Sequence, residues 1–91
     1  MKDNTERITT LINSFVAEDK RLKAFKKRKE RKELTDRFTI ALCGMMLLLD
    51  ENEREHTLEM LYSNKIMGNI IKSIDRINNN QVDRMAQLGY V

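Results

Sequence analysis

The chain has 91 residues, 41% of them hydrophobic and 34% charged, with a net charge of +3, one cysteine, one histidine, no tryptophan and no proline. One Cys and one His exclude an intrachain disulfide and a structural zinc site built on a single chain. No apolar stretch approaches the roughly 20 residues that a membrane-spanning helix needs.

The length suits one helical domain over residues 1–91. A chain of this size buries only about 60–65% of its unfolded surface, so a second copy is an expected source of stability. The start, Met1-Lys2-Asp3-Asn4-Thr5-Glu6, is polar and lacks a signal-peptide pattern. A lone thiol fits a reducing compartment, and a cytoplasmic location is the expectation.

Asn4 or Thr5 is placed to cap a first helix, along which Ile8, Leu11, Ile12, Phe15, Leu22 and Phe25 recur at helical spacing. The stripe then stops. Between Lys20 and Lys32, nine of thirteen residues are basic and one is acidic, and Lys26 to Glu33 contains no apolar residue. Apolar spacing restarts with Leu34, Phe38, Ala41, Leu42, Met45, Leu48 and Leu49, on a face roughly opposite Leu22 and Phe25. Either the helix breaks near Thr35-Asp36, or one long helix carries the basic segment as a projecting rod. Good helix formers favour continuity, and the change of phase favours a break. With Ile40, Met46 and Leu47 added, the 38–49 segment is apolar nearly all round, which predicts a helix buried centrally in the protein or in an oligomer.

Asp50 followed three residues later by Glu53 reads as a capping box opening a further helix. That helix is expected to turn Leu58, Leu61, Ile66, Ile70, Ile71, Ile74 and Ile77 inward and to end at Asn78-Asn79-Asn80. A short last helix through Val82, Met85 and Leu88 should stop at Gly89. The fold class is therefore all-α, a small bundle of three or four helices.

The charge is segregated. Residues 1–37 carry 12 Lys+Arg and 7 Asp+Glu, net +5, whereas residues 38–91 carry 5 and 7, net −2. A dense basic patch on a nearly neutral molecule points to a polyanion, whose phosphates neutralise it and release counterions. The candidate nucleic-acid contacts are Lys20, Arg21, Lys23, Lys26, Lys27, Arg28, Lys29, Arg31 and Lys32, with DNA favoured over RNA. Most would touch phosphate; Arg21, Arg28 and Arg31 could read bases by paired hydrogen bonds. The bland alternative is a solvated face, since Lys29–Glu33, Lys32–Asp36 and Glu33–Arg37 have the spacing of ordinary surface pairs. The rival function is a protein-interaction adaptor or inhibitor docking on an acidic or grooved partner, with Leu22 and Phe25 as apolar anchors beside the charges.

A homodimer is expected, with Phe38, Leu42, Met45, Leu48, Leu49, Ile70 and Ile74 at its interface. Met45, Met46, Met60 and Met67 read as core filler. Glu53-Arg54-Glu55-His56 has Glu-x-x-His spacing, but His56 sits in a polar first turn and a metal is not expected there. Cys43, between Leu42 and Gly44, is expected to be a buried and inert thiol. No nucleophile–base set, Gly-rich phosphate loop or paired carboxylates can be assembled, so neither an enzyme nor a cofactor is expected.

Overall fold

A computed structural model describes residues 4–87 and Gly89, and of residues 81–86 it describes the backbone alone. The protein is all-α, with four helices packed together: α1 (Asn4–Ala24), α2 (Arg28–Met46), α3 (Glu51–Ser63) and α4 (Met67–Gln87).

Residues 18–49 form two helices, and the break falls at Phe25–Lys27 rather than at Thr35-Asp36. Lys26 takes a left-handed conformation, φ 57°. Its N–H donates to the Lys23 carbonyl at 3.1 Å, and the Lys27 N–H donates to the Leu22 carbonyl at 3.0 Å, so the last carbonyls of α1 are satisfied by a reversing chain. Thr35 and Asp36, the residues suited to capping, lie inside α2. There the Thr35 hydroxyl donates back to the Arg31 carbonyl at 2.8 Å. The opposed apolar faces follow from this turn: α1 and α2 fold back as an antiparallel hairpin, so both stripes face one core.

Phe15 and Phe38 stack across the hairpin, with ring centroids 4.2 Å apart and planes 9° from parallel. Ile8, Ile12, Leu42 and Leu49 complete the central layer. α3 covers one side of α1, and α4 lies along α2. Leu61, Ile66 and Ile70 enter the same core, with Met45, Met46, Met60 and Met67 packed around it.

The Asp50–Glu53 capping box forms as the sequence predicts. Asp50 accepts from the Glu53 N–H at 2.8 Å, and the Glu53 carboxylate accepts from the Asp50 N–H at 3.1 Å. The helix it opens stops earlier than expected, at Ser63. Lys65 is left-handed, φ 57°, and repeats the α1 closure. Its N–H donates to the Tyr62 carbonyl at 3.0 Å, and the Ile66 N–H donates to the Leu61 carbonyl at 3.2 Å. The Asn64 side chain adds a bond to the Met60 carbonyl at 2.8 Å. Conversely, α4 passes through Asn78-Asn79-Asn80 without a break. Asparagine has only modestly low helix propensity, and three in a row do not end a helix that is already under way. Gly89, φ 82°, follows the end of α4. The expected helix through Val82, Met85 and Leu88 is absorbed into α4 up to Gln87, and Leu88 lies outside the described residues.

Within the single chain the 38–49 segment is buried on one side only, and two further expectations, at 58–77 and at Cys43, need correction. Phe38, Leu42 and Leu49 are buried, whereas Ile40, Leu47 and Leu48 face outward, at 60%, 84% and 73% exposure. The apolar face of 58–77 is likewise split, with Leu58, Ile71 and Ile74 exposed. Cys43 is exposed rather than buried, because the α2 face that meets α1 is set by Phe38, Thr39 and Leu42 and leaves Cys43 on the outer side.

Candidate nucleic-acid interface

The basic segment does not project as a rod. It occupies the last turn of α1, the tight turn at Phe25–Lys27 and the first turns of α2. Lys20, Lys23, Lys26, Lys27, Arg28, Lys29 and Lys32 are exposed there, and among the described residues none of them forms an ion pair. Of the three surface pairs that the spacing allows, only Glu33–Arg37 comes within ion-pair distance, at 3.9 Å. The seven free cations are thus gathered at one end of the hairpin by the reversal of the chain.

Two of the three candidate base-reading arginines are already engaged. Arg21 holds Glu18 one turn earlier on α1, and its hydrogen bonds keep the Glu18 carboxyl below the usual range. Arg31 forms a two-pronged pair with Asp19 across the hairpin, at 3.0 and 3.3 Å, with both side chains partly buried. It ties α1 to α2 just behind the turn. Arg28, the first residue of α2, remains free of such a pair. The helix it opens has no side-chain cap: Lys27 stands at the cap position and cannot accept a hydrogen bond there.

The basic surface continues onto α4, which the run of charges in the sequence does not reveal. Arg28, Arg31, Lys32 and Thr35, spaced along one face of α2, stand across from Asn69, Lys72 and Arg76 on one face of α4. Together with Asp19 they line an open cleft of about 300 Å³. Of the lining residues, Arg76 is held by Asp36, which accepts from Arg76 Nη2 and from the Ser73 hydroxyl, each at 2.6 Å. Burial pushes the Asp36 carboxyl up. The hydrogen bonds from Arg76 and Ser73 and the nearby charges of Arg76 and Lys32 more than reverse this, and it lies below its usual range. The Nε–H of Arg76 is buried and, among the described residues, has no acceptor.

Phe25 and Leu22, the anchors of the adaptor reading, part company. Leu22 is buried in the fold, whereas Phe25 is 65% exposed on the basic turn. A separate, mostly apolar groove runs between α1 and α2, lined by Leu11, Phe15, Leu34, Phe38 and Ala41. Of the residues expected at a dimer interface, Phe38, Leu42, Leu49 and Ile70 are consumed by the chain's own core, Met45 is half-buried, and Leu48 and Ile74 remain exposed. His56 is exposed, and among the described residues no three His, Cys, Asp or Glu side chains are grouped to hold a metal ion. No described helix is long and apolar enough to cross a membrane. No family model matches the chain, and neither the curated proteins nor the solved structures give a match.

Proposed function

We propose that the protein is a small, non-enzymatic nucleic-acid-binding protein, regulatory or accessory in role, that contacts phosphates through the end of the α1–α2 hairpin. The observation that supports this most is the concentration of free cations there. Lys26, Lys27, Arg28 and Lys29 crowd a tight exposed turn with no carboxylate among the described residues paired to them. Like charges held this close raise one another's energy, and a polyanion relieves the repulsion while releasing its own counterions. Sequence reading rests mainly on Arg28, since Arg21 and Arg31 already serve the fold.

Dimerisation belongs to the same reading. Leu47, Leu48, Ile71 and Ile74 leave apolar surface uncovered, and a two-fold dimer would present the basic end twice. A monomer by light scattering across the micromolar range removes this part of the proposal.

The test is a gel shift with duplex DNA, RNA and heparin at two salt concentrations. If a dimer neutralises about six to ten phosphates, affinity falls about 10³–10⁵-fold between 50 and 200 mM salt. Changing Lys26, Lys27, Arg28 and Lys29 together to Gln should leave the helical circular-dichroism spectrum intact, weaken binding steeply and flatten the salt slope. Undiminished binding by this variant, or no binding by the parent at low salt, defeats the proposal. The second reading, an adaptor docking on an acidic protein, then takes its place, with exposed Phe25 as the anchor that favours it.

A further inference from the structure

We propose that the cleft between α2 and α4 is a built seat for one phosphate group, separate from the diffuse basic turn. The inference deepens the nucleic-acid reading and rests on it for the source of the phosphate. Three observations carry it.

The charge of the lining is the first. Arg28, Arg31, Lys32, Lys72 and Arg76 meet around one small volume, with Asp19 the only carboxylate among the lining residues. Counting Asp36 behind Arg76 still leaves a net charge of +3. A surface helix pair spreads its cations into solvent, whereas here two facing ridges bring them together. The fold sets this convergence: Asp36, Ser73 and Arg76 lock α2 to α4 at this height.

The second is a donor set in place. Arg76 Nη2 is fixed on Asp36 at 2.6 Å, and the Ser73 hydroxyl donates to the same carboxylate, so the guanidinium at the cleft wall is oriented before any ligand arrives.

Size and chemistry make the third. About 300 Å³ lies at the small end of ligand clefts. The lining offers donors of three geometries: guanidinium forks, ammonium groups and the Asn69 amide. A tetrahedral phosphate uses such a set from several directions at once, and two of its oxygens can take a guanidinium fork.

The seat can take an internal backbone phosphate or a terminal phosphomonoester. The experiment uses the full chain labelled with ¹⁵N, observed by two-dimensional NMR that includes the arginine Nε–H signals. The probes are inorganic phosphate, sodium chloride at matched ionic strength, and a short oligothymidylate with and without a 5′-phosphate. Phosphate should move the Arg76 Nε–H and Asn69 signals saturably, and chloride should not. Lys72→Gln, an exposed position far in sequence from the basic run, should weaken phosphate and oligonucleotide binding about tenfold. Lys29→Gln removes the same charge from a residue that does not line the cleft, and should leave phosphate affinity within about twofold. Equal affinity for the two oligonucleotides assigns the seat to backbone phosphates, and a preference for the phosphorylated one assigns it to a terminal group.

Phosphate shifts spread evenly over the exposed lysines, with Arg76 Nε–H unmoved, overturn the seat. Equal effects of Lys72→Gln and Lys29→Gln on the affinity for inorganic phosphate overturn it as well. If polynucleotide binding persists in either case, the nucleic-acid reading stands without the seat. If phosphate saturates the cleft and no polynucleotide binds at low salt, the seat stands and the nucleic-acid reading falls.

Discussion

Lys26 and Lys65 sit at equivalent places in two helix ends, both left-handed at φ 57°. For a residue with a Cβ this conformation costs about 1–2 kcal/mol relative to ordinary helical backbone, and glycine adopts it freely. Glycine also loses more freedom on folding, by about 0.5–1 kcal/mol, which offsets part of the relief. Lys65→Gly should therefore raise stability by about 0.5–1 kcal/mol, or roughly 2–8 °C in melting temperature for a domain of this size. Lys26→Gly should gain the same amount, because its backbone bonds match those at Lys65 residue for residue. The two variants part in binding. Lys65 lies at the α3–α4 turn, outside the basic run and not among the residues that line the cleft, and its loss should leave polyanion affinity unchanged. Loss of Lys26 should weaken affinity on every nucleic-acid sequence alike and reduce the salt slope by about one. The assay is a urea melt of each variant beside a salt-titrated gel shift. Destabilisation by Lys65→Gly refutes the account of the turn. A stabilised Lys26→Gly that binds as tightly as the parent refutes the role given to its charge.

Phe15→Ala removes one ring of the stack that joins α1 to α2 and should cost about 3–5 kcal/mol in a denaturant melt; a cost below about 1.5 kcal/mol means the hairpin is held elsewhere. Thr39 is 1% exposed and its hydroxyl has no hydrogen-bond partner among the described residues, so Thr39→Val should stabilise by about 1 kcal/mol, and a loss in the same melt means that the hydroxyl does have a partner. Asp36 makes stability depend on pH. Its folded carboxyl lies below the usual 3.8, so its contribution is complete above that value and fades as pH falls through the lower folded value. Asp36→Asn should be less stable than the parent at pH 7, and the gap should narrow as the pH falls below the usual carboxylate range; a gap unchanged on acidification removes the ion pair from the account of the fold.

How much of this was legible in the sequence differs from helix to helix. The capping box at Asp50 was readable because both partners announce themselves by type and spacing. The α1–α2 and α3–α4 turns were not, because the residues at their left-handed positions are lysines rather than glycine or asparagine. At Asn78-Asn79-Asn80 the reverse happened: residues suited to a stop lie inside a helix that continues. The basic run was legible as a charge pattern, but its shape was not, since the turn at Phe25–Lys27 folds it over. Lys72 and Arg76 share a helix face in the sequence, yet nothing local says that this face meets Arg28 and Lys32. That information lies in the packing of α4 on α2. Phe38, Leu42, Leu49 and Ile70 lie buried within the chain, which their pattern alone does not announce: an apolar stripe does not say whether its partner is another helix of the same chain or a second copy.

The hairpin also sets an order of events in folding. A three-residue turn already brings the partners of the Phe15–Phe38 stack to the same end of the chain's search, so little loop entropy opposes their meeting. α4 must find α2 across the whole of α3, a longer closure and a later one. Substitutions at Phe15 or Phe38 should therefore slow refolding, whereas substitutions at Ser73 or Asp36 should chiefly hasten unfolding, a contrast that stopped-flow chevrons resolve and that equal effects on the two arms would contradict. The cationic turn then exists as soon as the hairpin does, and the cleft is completed only when the last helix arrives.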